Sequence, residues 1–308
     1  MTIALAQVVG GLILLILAGD ALVRGAVNLA LRLGISALVV SLTVVAFGTS
    51  APELLVSIEA VLDDAPGLAL GNVVGSNTAN VLLVLGVPAL ISGLATKTHD
   101  TRRDYAFMLA GTALFVGFAW TGAIAGWNGA AMLAVLAAIL VTTFLLSRGT
   151  EPEEVEGADD RMGGWRIAAY LAAGLVGLPV GAHLLVDGAS YVAKTYGLSD
   201  AVIGLTLVAI GTSLPELATT VMAALRRHAD VALGNVIGSN LFNLLAIMGI
   251  ASLVGPIPTA EVLDLDLWVM VGASLLMIPF VLRWSDINRA WGVALTGAYV
   301  AYMALVLS

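Results

Sequence analysis

The chain has 308 residues, of which 60% are hydrophobic and only 11% charged, with a mean hydropathy of +1.02 and a formal net charge of -8. Soluble domains carry roughly a quarter of their residues as charges, so this composition excludes an ordinary soluble enzyme or nucleic-acid binder and indicates an integral membrane protein. The absence of cysteine removes disulfides, thiolate metal sites and thiol nucleophiles together.

Taken in chain order, ten apolar spans are predicted, at about 3–31, 36–62, 67–92, 103–122, 127–147, 165–195, 199–225, 230–254, 264–282 and 289–307. They reach the roughly 20 residues a helix needs to cross hydrocarbon and lack the alternation of a membrane barrel. The first follows no basic n-region and shows no small-residue cleavage signal, so a retained helix is expected. Between the fifth and sixth spans lies the only extended polar stretch, Ser147 to Gly164, whose acids Glu151, Glu153, Glu154, Glu156, Asp159 and Asp160 read as a flexible connector.

The spans repeat. Gly34 to Leu54 recurs as Gly197 to Leu217, and Gly71 to Gly86 as Gly234 to Gly249, both 163 residues further on. This pairs span one with six and span two with seven. Five spans is an odd number, so the second copy enters the membrane inverted, as in many secondary transporters. The expected fold class is therefore all-α integral membrane: ten transmembrane helices as two inverted five-helix repeats, 1–147 and 165–308, with broken helices at the centre and a cytoplasmic acidic linker at 148–164.

Basic residues test this layout, because short cytoplasmic loops collect Lys and Arg. Arg24, Arg32, Lys97, Arg102, Arg103, Arg148, Arg161, Arg166, Arg226, Arg227, Arg283 and Arg289 fall on one side; of the 13 basic residues only Lys194 falls opposite, with Asp63, Asp64, Glu261, Asp264 and Asp266. Both termini are predicted outside the cytoplasm. The six tryptophans, Trp120, Trp127, Trp165, Trp268, Trp284 and Trp291, lie near span ends as interfacial anchors.

Inside the repeats sit costly polar groups. In Ala46-Phe47-Gly48-Thr49-Ser50-Ala51-Pro52-Glu53 the proline has no N–H and clashes with the carbonyl four residues back. The span should break there and leave carbonyls near Ala46 unpaired. Thr49 and Glu53 are four apart, on one helical face, with Ser50 beside it. The second copy supplies Ala209, Thr212, Ser213 and Glu216. The neighbouring motif places Ser76 and Asn80 four apart, matched by Ser239 and Asn243, with Asn72 and Asn235 a turn back. Oxygen from carboxylate, hydroxyl and carbonyl is what hard cations such as Ca²⁺ and Na⁺ accept.

Charge arithmetic narrows the ligand. Glu53 and Glu216 would repel each other in a desolvated site; one divalent cation neutralises both, and so do two monovalent ones. A site filled by either kind of ion, but not both at once, is the basis of an exchanger, and a third Na⁺ makes the exchange electrogenic. Two other classes compete: an intramembrane hydrolase, which has no need of symmetric hydroxyls, and a passive cation channel, which only flux coupling separates from an exchanger. Asp20, Arg24 and Asp187 read as ion-paired or interfacial, His183 as a packing residue, and Asn80 and Asn243 as helix glue as well as candidate ligands.

The paired Gly-Thr-Ser-x-Pro-Glu and Gly-Ser-Asn-x-x-Asn motifs resemble the two alpha-repeats of the cation/calcium antiporter superfamily, specifically its sodium/calcium exchanger branch of prokaryotic type. The resemblance implies Ca²⁺ held between Glu53 and Glu216 with Thr49 and Thr212. It implies Na⁺ sites drawing on Ala46, Ser50, Ala209, Ser213, Ser76 and Ser239, with Asn80 and Asn243 lining the centre. The first and sixth helices would slide over the rest to alternate access. Potassium-dependent relatives carry Asp where this chain has Asn243, which implies K⁺ independence; proton-coupled relatives carry a Gly-Asn-Ala-Thr-Glu motif that this chain lacks, leaving H⁺ coupling or another divalent cation as the alternative. The expected protein is a Ca²⁺ exporter of a prokaryotic inner membrane, with Ca²⁺, Na⁺ and lipid as its partners and with no catalytic residue, cofactor, nucleic acid or obligatory protein partner.

Overall fold

The computed structural model describes residues 1–147, 162–196, 209–259 and 265–306. The expectations for the linker acids, for the start of the longer second repeat and for Glu261 and Asp264 lie outside the described residues. The helices are α1 (Thr2–Leu33), α2 (Ala37–Thr49), α3 (Ala51–Leu62), α4 (Pro66–Ile91), α5 (Arg102–Ala119), α6 (Gly126–Ser147), α7 (Gly164–Thr195), α8 (Ala209–Thr212), α9 (Leu214–Leu225), α10 (Ala229–Val254), α11 (Leu265–Val281) and α12 (Arg289–Val306). Six of them, α1, α4, α6, α7, α10 and α12, are long and apolar enough to cross a membrane; the bent pair α2 and α3 makes a seventh if counted as one span.

Local chemistry places the boundaries. Gly34 takes φ 64°, so its N–H and that of Ile35 turn back to the carbonyls of Leu31 and Ala30 and end α1. Ser36 then caps α2, accepting from the Val39 N–H at 3.4 Å. Pro66 opens α4, where its missing N–H costs nothing.

Burial sorts the helices into layers. The apolar window of α10 is 89% buried and that of α4 72%, against 28% for α1 and 22% for α7. So α4 and α10 form the centre, while α1, α6, α7 and α12 present residues such as Ile3, Leu17, Val141, Val176 and Val300 outward. An apolar exterior of this kind matches lipid. The long helices α1 and α7 each have 32 residues, about 48 Å at 1.5 Å per residue, longer than the ~30 Å hydrocarbon layer and so long enough to span it with tilt. They pack along one another on small residues: a Cβ on Gly11 of α1 would stand 2.6 Å from the backbone nitrogen of Leu185 and 2.7 Å from the Gly181 carbonyl of α7.

Two small backbone pairings close the ends of the bundle. Ala123–Ile124 (β1) pairs antiparallel with Ile257–Pro258 (β2), and Leu94 bridges Ile287. Shifted by the 163-residue repeat, the Leu94–Ile287 bridge becomes the Ile257–Ile124 pair. The close approach of Gly86 to Gly292 likewise becomes that of Gly249 to Gly129. None of these loop strands was foreseen from sequence.

Three π-helical turns, at Ser41–Val45, Asn80–Val84 and Asn243–Ile247, interrupt α2, α4 and α10. They too are absent from the sequence reading. Such turns insert a residue and rotate the side chains that follow, and they concentrate at functional positions.

Candidate functional site

The expected break lies at Ser50. With φ -83° and ψ 6° it leaves the helical region between α2 and α3, whose axes meet at 43°. Ser213, with φ -84° and ψ 1°, separates α8 from α9 in the same way. Pro52 and Pro215 each occupy the first turn beyond the break, where no N–H is required of them. Glu53 and Glu216 fall in those first turns. There the free N–H groups and the positive end of the helix dipole favour a carboxylate, which explains how two acids are tolerated at 1% exposure each.

One expectation is corrected. The carbonyl of Ala46 is not left unpaired by the proline, because it accepts from the Ser50 N–H at 3.0 Å and from the Thr49 hydroxyl at 3.3 Å. Proline removes a donor two residues further on, so the vacancy it creates belongs to Gly48, not Ala46.

The structure brings the halves of the sequence together at the acids. Ser50 donates to Oε1 of Glu216 at 3.1 Å, and Ser239 reaches the same oxygen at 3.5 Å. Thr212 supplies a side-chain hydrogen bond to Glu53 and Thr49 one to Glu216, and the two carboxylates act on one another electrostatically. Thr49, Ser50, Ser76, Asn80, Ser213, Ser239, Asn243 and Ala46 are all buried, and Thr212 is half-buried. Ala209 begins α8; its side chain lies outside what is described.

Buried polar atoms left without a hydrogen-bond partner cluster here: Oε2 of Glu53, Oε2 of Glu216, Oγ of Ser213, Oδ1 of Asn80 and both amide atoms of Asn243. Most buried side-chain polar atoms in native interiors are paired, so six unpartnered ones on five of the candidate residues stand out. This group is oxygen-rich, and among the described residues no cluster of three or more His, Asp or Glu occurs. The site thus combines two formal negative charges with neutral oxygens, a donor set suited to hard cations. Asn80 and Asn243 each stand at the first residue of a π-helical turn, so the backbone irregularity and the unpartnered amides coincide.

A supporting layer surrounds this centre. Asn72 Nδ2 donates to the Glu53 carbonyl and to Ser57 Oγ, each at 3.1 Å; Asn235 Nδ2 donates to the Glu216 carbonyl at 3.4 Å and to Thr220 Oγ1 at 3.1 Å. Each amide ties α4 or α10 to the half-helix bearing a glutamate. Asn77 and Asn240, which the sequence reading passed over, exchange side-chain-to-carbonyl bonds at 3.3 and 3.4 Å, and Asn80 donates to Asn240 Oδ1 at 3.0 Å. Their signal was available, since both fall in the repeated Gly-Ser-Asn.

Other readings divide. Asp20 is ion-paired with Arg24 at 2.9 Å, as expected. His183 is not a packing residue: its side chain is 77% exposed and lies 3.3 Å from Asp187. Five of the tryptophans are exposed, and Trp120 and Trp268 stand 6.0 Å apart centroid to centroid.

A multi-pass helical membrane protein with two broken helices that carry carboxylates and hydroxyls from both halves into a buried centre is a cation transporter by class. The profile of the family described as sodium/calcium exchanger protein matches residues 3–145 and again 166–308. The chain belongs to that family, whose members are transporters and not catalysts. It is 36% identical to the putative antiporter CaxA of Alkalimonas amylolytica over 100% of both chains, and 35% identical to the sodium/calcium exchanger MaX1 of Methanosarcina acetivorans over 96% of each. It superposes on a solved structure of the sodium-calcium exchanger NCX_Mj with a TM-score of 0.84 and 34% identity, covering 98% of both chains.

Proposed function

We propose that this protein exports Ca²⁺ in exchange for Na⁺ by alternating access, electrogenically and without K⁺. One observation carries the reading: two buried glutamates from different halves of the chain, each with an oxygen free of partners, sharing hydroxyls that cross between the halves. Ca²⁺ sits between Glu53 and Glu216 with Thr49 and Thr212. The Na⁺ ions draw on Ser50, Ser213, Ser76, Ser239 and the backbone at Ala46 and Ala209. Either load cancels the two charges, so Ca²⁺ and Na⁺ exclude one another. Asn80 and Asn243 line the centre as neutral ligands, and the lack of a third carboxylate at 243 supports K⁺ independence.

The same proposal includes ten transmembrane helices in two inverted repeats, 1–147 and 165–308, joined by a cytoplasmic linker at 148–164, in a prokaryotic inner membrane with both termini outside. Its supports are the double match of the family profile, the contacts that recur under the 163-residue shift and the basic residues gathered on one side.

The test is radiocalcium uptake into vesicles containing the purified protein, driven by an outward Na⁺ gradient and then by Li⁺, K⁺ or proton gradients in its place. Uptake that requires Na⁺, responds to membrane voltage and ignores K⁺ is the expected result. Uptake driven equally well by protons alone would sink the Na⁺ assignment, and Ca²⁺ flux that needs no counter-ion would make the protein a channel.

A further inference from the structure

α1 carries Asp20 and α9 ends on Arg226, and the two are joined. Arg226 Nε donates to Asp20 Oδ1 at 2.5 Å, the neighbouring Nη2 contacts the same oxygen, and Arg24 Nε lies 2.9 Å from Oδ2. The side chains of Asp20 and Arg226 are 23% and 27% exposed, and a largely desolvated pair is costly to open with nothing to replace it. One residue earlier, Gly19 brings the helices into backbone contact: a Cβ there would stand 3.0 Å from the Ala218 carbonyl oxygen. α1 is thereby fastened to the half-helix that bears Glu216.

Under the 163-residue shift Asp20 corresponds to His183, Arg24 to Asp187, Gly19 to Ala182, Ala218 to Leu55 and Arg226 to Asp63. The backbone honours the correspondence. Asp63 and Arg226 are the C-caps of α3 and α9, each is followed by a residue with positive φ (Asp64 at 56°, Arg227 at 61°), and each turn is closed by a 2.8 Å bond, from the Ala65 N–H to Ala60 and from the His228 N–H to Ala223. The fastening itself is not repeated. His183 Nε2 turns to Asp187 on its own helix at 3.3 Å. Asp63 is exposed and has no ion pair among the described residues, and α7 does not pack along α3 as α1 packs along α9. Leu55 is 62% exposed where Ala218 is half-buried against Gly19.

We propose that Asp20–Arg226 and His183–Asp63 are alternative fastenings of one moving unit, α1 with α7, the first made in the state seen here and the second in the state that opens to the other side. Asp20 and Arg226 are on this account positioning residues for exchange. The proposal rests on the inverted-repeat reading, because in such a fold the opposite state arises when the two halves exchange conformations; a 20–226 contact then becomes a 183–63 contact. The interlocked glycine faces of α1 and α7 make them travel together, so fastening at one end is release at the other. The two fastenings are unequal. A guanidinium grips a carboxylate with two nitrogens, an imidazole with one, so the state closed at Arg226 is favoured at rest. The basic-residue distribution puts Arg226 at the cytoplasmic side, which makes that resting state the one closed to the cytoplasm.

The natural chain has no cysteine, so introduced thiols report without background. Full-length Asp20→Cys/Arg226→Cys and Asp63→Cys/His183→Cys proteins, reconstituted in vesicles, are treated with a short bifunctional methanethiosulfonate reagent. Both pairs should cross-link, both cross-links should stop Na⁺-driven Ca²⁺ uptake, and a reductant should restore it to the level before cross-linking. Failure of the 63–183 pair to link, or uptake that continues once it has linked, overturns the proposal. These two residues are exposed, so that pair carries the test even if the 20–226 variant fails to fold. A second readout is labelling of Leu55→Cys by an impermeant thiol reagent from outside. It should fall several-fold in Arg226→Gln and be retained in Arg226→Lys; unchanged labelling in Arg226→Gln overturns the resting-state assignment. If Leu55→Cys and Ala218→Cys label from the same side of the membrane, the inverted-repeat reading itself fails, whatever the cross-links show.

Discussion

Ser50, in the first half of the chain, donates a hydrogen bond from its hydroxyl to Oε1 of Glu216, in the second, at 3.1 Å. Neither half therefore owns a finished ion site. A hydrogen bond to a buried charged group is worth about 1.5–3 kcal/mol, so Ser50→Ala should weaken Ca²⁺ binding about ten- to a hundredfold. Ser213 has no such bond. Ser213→Ala should raise the Na⁺ concentration for half-maximal uptake while leaving Ca²⁺ affinity within about threefold. Calcium-dependent uptake measured at several Na⁺ concentrations separates the two.

Glu53→Gln and Glu216→Gln each leave a single carboxylate at the centre. Removing one member of a buried charged set costs about 3–5 kcal/mol, which predicts a loss of exchange of at least about a hundredfold. The helices should persist, since glutamine matches glutamate in size and suits the first turn of a helix equally well. Vesicle uptake and circular dichroism on the same preparations test the two halves of the prediction.

Asn243→Asp adds a third negative charge beside two that are already balanced by one Ca²⁺. The expected result is a lower uptake rate in Na⁺ and Ca²⁺ alone, partly recovered when K⁺ is supplied as an additional monovalent cation. Comparing K⁺ with an impermeant organic cation at equal ionic strength checks this. Equal uptake in both media would leave the neutral amide without a role in K⁺ independence.

Gly181→Leu addresses the α1–α7 contact. A Cβ at Gly181 would already lie 3.0 Å from the Leu15 backbone nitrogen and 3.1 Å from the Gly11 carbonyl. A whole isobutyl group must push the helices apart, at about 1–3 kcal/mol by analogy with overpacked cores. Thermal unfolding in detergent should shift downward by several degrees, and uptake should slow by more than Ca²⁺ binding weakens, because the contact lies away from Glu53 and Glu216.

Much of this molecule is legible before any coordinates. Helix ends at Leu62, Ser147 and Thr195 fall within a residue or two of the expected spans, because proline, glycine and charge mark where apolar periodicity stops. The glutamates, Thr49, Ser50, Ser76 and their counterparts are visible because polar residues in lipid-length segments are rare and here occur twice. Three features stayed hidden for physical reasons. Whether Asn80 starts an α or a π turn cannot be read from helix propensity, which scores both alike. The Ala46 carbonyl is satisfied by the Ser50 N–H, a bond that survives because the bend comes after it. The Asp20–Arg226 pair joins residues 206 apart, and sequence offered Asp20 a nearer partner in Arg24.

The Leu94–Ile287 bridge and the Ile124–Ile257 pair stitch loops from the two halves to each other at opposite ends of the bundle. Among the described residues no strand joins α1 or α7 to that stitching. The loops that follow α4 and α10, which carry the candidate ligands Ser76, Asn80, Ser239 and Asn243, are therefore basted to the far half top and bottom like the boards of a book, while α1 and α7 lie against the bundle as an unsewn cover. For the cation exchange proposed, such a division would hold the ligand geometry together and leave the large excursion to the two long outer helices.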